Sequence, residues 1–196
     1  MRKFFVAAAI AAFSLILFVQ LSCTQAGENK PLTQEEMVAL GKYIVSTSAC
    51  NECHTPKIFT PNGTVSDTTR FLAGFPQDEK LPSLDINLLT TDKWVSRYLS
   101  AWVGPWGISY ASNLTPDNAT GLGAVTEAMF IKTLREGKLK GVGRPLLPPM
   151  PWKEVGKKTD EDLKAIYAYL RTIKPIHNQV PQPVPPDKME EVLAHK

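Results

Sequence analysis

Apolar residues recur at helical spacing in three stretches of the chain, which predict its main helices. The first helix begins at Thr33 and runs to about Ser46, the second covers Thr126 to Glu136, and the third covers Thr159 to Ile173. Their apolar positions are Met37, Leu40, Ile44 and Val45 in the first helix and Leu163, Ile166, Tyr167, Leu170 and Ile173 in the third. Each stretch carries its own boundary signals.

These signals are caps and stops. Thr33 with Glu36, and Thr159 with Asp162, have the spacing of capping boxes. Gly137 is placed to end the second helix, and Pro175 the third.

The middle of the chain has a weaker pattern. Residues 55–90 are rich in Thr, Pro, Asp and Gly and predict a long loop with little regular structure. From Thr91 to Val103, helical spacing predicts a fourth helix with the apolar positions Trp94, Val95, Tyr98, Leu99 and Trp102. Beyond Pro175 the chain is Pro-rich, and Asp187 to His195 predicts a short helix.

An apolar run at the N-terminus predicts export. Arg2 and Lys3 precede an apolar run, Phe4 to Leu21, that is interrupted only by the polar residues Ser14 and Gln20. Ser22-Cys23 follows at once and resembles the cleavage site of bacterial lipoproteins, which predicts Cys23 as a lipid anchor. A retained anchor helix, and ordinary cleavage near Ala26-Gly27, are the alternatives.

Composition limits the function classes. The 196 residues are 43% hydrophobic, which suffices for one modest core once a leader is removed. Lys and Arg number 22 and Asp and Glu 19. Because Arg2 and Lys3 belong to the leader, the mature chain is nearly neutral, and no nucleic-acid partner is predicted.

Cys50-Asn51-Glu52-Cys53-His54 is the candidate site. Two thiols with this spacing, followed directly by histidine, predict covalent attachment of one c-type haem with His54 as an iron ligand. A zinc half-site would need two further ligands, and only Cys23, His177 and His195 remain without suitable spacing. A thioredoxin-like pair would need a βαβ pattern, which is absent around the motif. Lipidation of Cys23 would leave no unpaired thiol.

Residues on both sides of the motif resemble class I cytochrome c. Leu40-Gly41-Lys42-Tyr43-Ile44-Val45, the motif itself and Thr55-Pro56 are similar to the N-terminal helix and haem site of that family, and Ala168-Tyr169-Leu170-Arg171 to its last helix. The resemblance implies an all-α class I cytochrome c fold, with orthogonal N- and C-terminal helices and a long loop-rich middle insertion. It also implies that Tyr169 or Ile166 packs against Gly41.

A longer segment narrows the resemblance. Gly107 to Asp117, Thr120 to Gly123, Phe130 to Gly137 and Met150-Pro151-Trp152 resemble the cytochrome subunits of bacterial membrane-bound alcohol and aldehyde dehydrogenases. Those subunits commonly carry three haem domains, whereas this chain has one motif. The leader, the motif and the Pro-rich end together predict a signal peptide (1–22), a tether (23–32), a monohaem domain (33–176) and a Pro-rich tail (177–196).

Met150 is the predicted second iron ligand. Three prolines in Leu147-Pro148-Pro149-Met150-Pro151-Trp152 restrict the backbone around it, and the resemblance aligns the same residue. His177 is the rival ligand, and a plain core methionine is the alternative role for Met150.

The predicted function is electron transfer by an exported monohaem cytochrome on the periplasmic side of a bacterial membrane. Its partners would be redox proteins, such as a membrane dehydrogenase or a terminal oxidase. Eight basic residues against two acidic ones in residues 131–158 predict a surface that neutralises haem propionates, through Arg144 and Trp152, and attracts an acidic partner. A solvated positive face is the simpler account. The alternative function is a peroxidase or gas-binding protein with an open iron site.

Overall fold

A computed structural model describes residues 30–84, 95–97 and 99–194 of the protein. The leader, Cys23, Trp94, Tyr98 and His195 therefore lie outside the described residues. From Gln34 onward the chain forms one compact unit.

Six helices and five strands are described in that unit. The helices are α1 (Gln34–Thr47), α2 (Cys50–His54), α3 (Glu127–Glu136), α4 (Trp152–Val155), α5 (Asp160–Leu170) and α6 (Met189–Leu193). The strands are β1 (Lys57–Thr60), β2 (Gly63–Ser66), β3 (Val95–Arg97), β4 (Ala101–Gly104) and β5 (Gly107–Tyr110). Short 3₁₀ turns cover Thr68–Arg70, Leu139–Gly141 and Pro186–Lys188.

The three main predicted helices are confirmed, with their caps where the bonds are described. Thr126 accepts a hydrogen bond from the Met129 backbone at the start of α3, and Gly137 ends it at φ 66°. Thr159 and Asp162 form the predicted capping box of α5. These boundaries follow from local chemistry, because each cap satisfies backbone groups that the helix leaves unpaired.

The prediction of an all-α fold is wrong. The structure is mixed, 38% helical and 13% strand, with two small antiparallel sheets. One sheet is the hairpin β1–β2, with Lys57 opposite Ser66, inside the segment predicted as loop. Pro61-Asn62 forms the turn between the two strands, and Gly63, the first residue of β2, lies at φ 117°. Pro in the second position and Gly in the fourth are typical of a four-residue turn.

Of the helix predicted for Thr91 to Val103, the structure describes residues 95–97 and 99–103, and these belong to the second sheet and its turn. β4 pairs with β3 on one side and β5 on the other. Leu99 lies at φ 54°, which interrupts a helix, and β4 is buried along its whole length. Apolar and aromatic residues on both faces fit a buried strand as well as a helix, so spacing alone misassigned this segment.

Two apolar clusters form the interior. The first joins α1, α3 and α5 through Ile44, Val45, Leu72, Val125, Phe130, Leu134, Leu163, Ile166 and Leu170. The second joins the β4–β5 hairpin to the C-terminal segment through Phe75, Leu81, Ala101, Val103, Ile108 and Leu193. Residues after His177 thus contribute to a core: Leu193 is fully buried, and Val184 pairs with Ile108.

α1 and α5 meet at Gly41, as the resemblance implies. A Cβ atom at Gly41 would overlap the Ala165 carbonyl and lie 2.8 Å from the Cβ of Tyr169. The predicted contact with Tyr169 is therefore confirmed. The absence of a side chain allows the two helix backbones to approach closely, just before the chain enters the motif.

Candidate haem site

The motif forms its own short helix, α2, directly after α1. Ala49 precedes it at φ 57° and redirects the chain between the two helices. Cys50 and Cys53 are free and half-buried, and Cys50 packs against the first apolar cluster. Burial raises the pKa of both thiols, so they are neutral at pH 7.

His54 is buried, with its imidazole held by a backbone carbonyl. The distance from its Nδ1 to the Ser112 oxygen is 2.8 Å. A carbonyl can only accept, so Nδ1 carries the proton and Nε2 retains its lone pair. Burial lowers the pKa of His54, and the bond to Ser112 offsets this only in part. The neutral imidazole therefore has one nitrogen positioned by the protein and the other free to bind a metal.

Gly74 allows the Ser112 carbonyl to lie so close to the motif. Its φ is 78°, its N–H donates to the His54 carbonyl at 2.7 Å, and a Cβ atom there would lie 2.6 Å from the Ser112 carbonyl carbon. Sequence reasoning assigned no role to Gly74 or to the Ser112 carbonyl. No spacing pattern indicates contacts across this distance in the chain.

Met150 borders the same cluster as Cys50. It is half-buried and packs against the first apolar cluster, on the loop between Leu147 and Trp152. Its N–H donates to the Leu147 carbonyl at 3.2 Å, and its carbonyl accepts from the Trp152 N–H at 2.9 Å. The two bonds close a compact turn that limits the positions open to the side chain.

The rival ligand lies in a different setting. The side chain of His177 is 64% exposed, and its Nδ1 lies 3.6 Å from a carboxylate oxygen of Asp117. Another methionine, Met189, packs against the second apolar cluster, whereas Cys50 packs against the first. Within the described residues, no group of three His, Cys, Asp or Glu side chains could hold a metal ion.

The chain is similar in sequence to cytochrome subunits of bacterial dehydrogenases. A segment of 143 residues, 72% of the chain, is 38% identical to the alcohol dehydrogenase (quinone) cytochrome c subunit of Gluconobacter oxydans, covering 23% of that protein. The fructose dehydrogenase cytochrome subunit of Gluconobacter japonicus is 39% identical over 79 residues, 40% of the chain and 16% of the relative. The chain resembles cytochrome c subunits of dehydrogenases.

A third relative extends the comparison. The gluconate 2-dehydrogenase cytochrome c subunit of Pantoea cypripedii is 29% identical over 135 residues, 69% of the chain and 23% of that subunit. The chain spans less than a quarter of the length of these cytochrome subunits. No family model matches the chain. The resemblance to cytochrome c predicted from the motif is confirmed, and it implies a c-type haem.

Arg144 has a buried side-chain donor without a partner among the described residues. Its Nε is buried and has no hydrogen-bond partner in the described part of the chain, while its Nη1 donates to the Pro145 carbonyl at 3.1 Å. Burial lowers the pKa of the guanidinium, yet arginine remains charged. A buried unpaired donor costs roughly 1–3 kcal/mol, which a carboxylate at this place would recover.

The basic segment divides into paired and unpaired charges. Lys132 pairs with Glu136, Arg135 with Asp160, and Lys157 with Glu154. Lys138 and Lys140 are exposed, and no ion pair joins either to a described carboxylate. Between them and Arg144 in the sequence lies Val142, a residue that is 77% exposed. The exposed Val142 therefore follows two exposed lysines that form no ion pair with a described carboxylate.

No helix among the described residues has the length and apolar character needed to cross a bilayer.

Proposed function

We propose that the protein is an exported monohaem c-type cytochrome that transfers single electrons, with the haem bound through Cys50 and Cys53 and His54 and Met150 as iron ligands. The observation that carries the proposal is the His54 imidazole, buried and neutral, with Nδ1 bonded to the Ser112 carbonyl at 2.8 Å. This is how proteins orient a histidine that binds a metal through Nε2. The similarity to dehydrogenase cytochrome subunits supports the same class.

Each of the other site residues has a defined task. Each of the two thiols would add its S–H across one vinyl C=C bond of the haem, and the resulting thioethers would fix the haem to the motif helix. Arg144 would donate its free Nε–H to a propionate. The apolar cluster beside Cys50 and Met150 excludes water, and a thioether ligand in an apolar pocket favours the reduced state. When bound, the haem would supply a one-electron couple for exchange with a redox partner.

We further propose that the leader exports the chain and that Cys23 attaches it to the periplasmic side of a membrane by a lipid. A dehydrogenase or a terminal oxidase would be the redox partner. The names of the relatives support a dehydrogenase, although each relative is several times longer than the matching segment of this chain.

A test of the haem site uses the protein produced in a host that attaches haem to exported chains. The wild type is expected to gain the mass of one haem, to keep it in a denaturing gel, and to give c-type spectra in both redox states. Because each thiol can form its own thioether, Cys50→Ala and Cys53→Ala should each retain some covalent haem, while the double variant retains none. A wild type without covalent haem, or with bound zinc instead, would contradict the proposal.

The unpaired lysines offer a test of where electrons leave the protein. Lys138→Glu/Lys140→Glu is expected to slow oxidation by anionic hexacyanoferrate about tenfold at low ionic strength and to accelerate the reaction with a cationic cobalt complex. The two changes lower the balance in residues 131–158 from eight basic against two acidic side chains to six against four. Lys164→Glu/Lys174→Glu makes the same change of net charge outside the basic segment. Stopped-flow rates that respond equally to both double variants would show that the basic segment does not face the electron-transfer edge.

A further inference from the structure

One short segment, Ser109 to Ser112, contacts both His54 and the loop that carries Met150. The Ser112 carbonyl accepts from His54, and three residues earlier the Ser109 hydroxyl donates to the Pro148 carbonyl at 2.6 Å. Pro148 lies two residues before Met150. Neither Ser109 nor Pro148 is a ligand, and the electron-transfer proposal assigns neither of them a task.

The Ser109 hydroxyl is buried and its direction is fixed. The residue is 5% exposed. The indole Nε1–H of Trp106 donates to the Ser109 oxygen at 3.2 Å. Because the indole occupies a lone pair of that oxygen, the hydroxyl proton is left to point at the Pro148 carbonyl. The result is a directed chain from Trp106 through Ser109 to the methionine loop.

The loop itself has few backbone donors with which to anchor itself. Pro148, Pro149 and Pro151 have no N–H group, and the Met150 N–H is used within the loop, on the Leu147 carbonyl. The hydrogen bond from Ser109 spans 39 residues of sequence and ties the loop to a different part of the protein.

The strand that carries Ser109 is held on both sides. In β5, Ser109 stands opposite Trp102 of β4. On the other edge, Ile108 donates to the Val184 carbonyl at 2.8 Å and accepts from the Val184 N–H at 3.0 Å. The segment after β5 is fixed too, since the Phe75 N–H donates to the Ala111 carbonyl at 3.0 Å. β5 is therefore a rigid support for both ends of the site.

We infer that Ser109 is a positioning residue that holds the methionine loop against the proposed haem site, and that β5 with its continuation to Ser112 sets the spacing between His54 and Met150. The inference rests on the proposed ligation by Met150. Without the Ser109 bond the loop would still close on itself, but it would separate more readily from the body of the protein. The effect is expected on displacement of the methionine rather than on haem attachment.

The test measures how readily imidazole displaces the methionine from the ferric holoprotein. Ser109→Ala is expected to bind imidazole about fivefold more tightly than the wild type, as loss of a hydrogen bond worth about 1 kcal/mol implies. Trp106→Phe, which removes the orienting N–H together with part of the indole ring but keeps the Ser109 hydroxyl, is expected to shift the affinity less and in the same direction. Ser109→Thr, which keeps a hydroxyl, should restore affinity toward the wild-type value.

Ser100→Ala is the matched control. Ser100 is fully buried, and its hydroxyl has no hydrogen-bond partner in the described structure, so the change removes the same atom without removing a bond. Imidazole affinity within twofold of the wild type is expected for this control. Equal affinities for Ser109→Ala, Trp106→Phe and the wild type would overturn the inference while leaving methionine ligation intact. A wild type without a sulfur-to-iron charge-transfer band would instead overturn methionine ligation, and the inference with it.

Discussion

Met150→Ala is expected to abolish the sulfur-to-iron charge-transfer band of the oxidised protein and to lower its reduction potential by on the order of 0.1 V. Met150 is half-buried beside the cluster that Cys50 contacts, in a turn closed by hydrogen bonds at 3.2 and 2.9 Å. Alanine removes the thioether and leaves a position that water or an added ligand can fill. The reduced variant should therefore bind carbon monoxide rapidly, which the wild type should not.

Met129→Ala separates loss of the ligand from loss of packing. Met129 lies on α3, is also half-buried and packs against the same cluster. Truncation of a fully buried methionine lowers the free energy of unfolding by about 2–5 kcal/mol, and the half-buried Met129 should cost less. The charge-transfer band should stay in place. A band that survives in Met150→Ala, or that disappears in Met129→Ala or His177→Ala, would refute the assignment.

Carbon monoxide also tests the alternative function. A peroxidase or gas sensor needs an open or easily displaced iron position. Rapid binding to the reduced wild type, at a rate unchanged in Met150→Ala, would favour that class over an electron carrier. The electron-carrier proposal requires a large difference between the two proteins.

Local chemistry made the helices of this protein predictable. Apolar residues recur at helical spacing along α1 and α5. The side chain of Thr159 caps the start of α5, and Gly137 ends α3 because it can adopt a left-handed conformation. The motif was equally local, since Cys50, Cys53 and His54 are adjacent. Each of these features can be recognised within a window of a dozen residues.

The sheets and the supports of the site were not predictable in this way. β4 carries apolar residues on both faces, so its pattern does not distinguish strand from helix until its partners β3 and β5 are known. The hydrogen bond from His54 to the Ser112 carbonyl spans 58 residues. Every residue has a backbone carbonyl, so the sequence does not indicate which one His54 contacts. Ser109 and Gly74 likewise acquire their roles only when distant segments meet.

Gly41→Ala is expected to destabilise the holoprotein by about 1–3 kcal/mol, although alanine is the better helix former. A free helical site would gain roughly 1 kcal/mol from this change. At Gly41 the new Cβ atom would overlap the Ala165 carbonyl and lie 2.8 Å from the Cβ of Tyr169. Both belong to α5, whose backbone is fixed by its own hydrogen bonds, so α1 must move away.

Denaturant unfolding of the holoprotein measures this effect, with Ala39→Gly as the control. Ala39 is an exposed position on α1, so the control reports helix propensity in the same helix and should cost about 1 kcal/mol. Because α1 leads within three residues to Cys50, its displacement should also weaken the packing of the motif helix and increase imidazole binding. If Gly41→Ala were as stable as the wild type or more stable, the close approach of α1 and α5 could not be a determinant of this site.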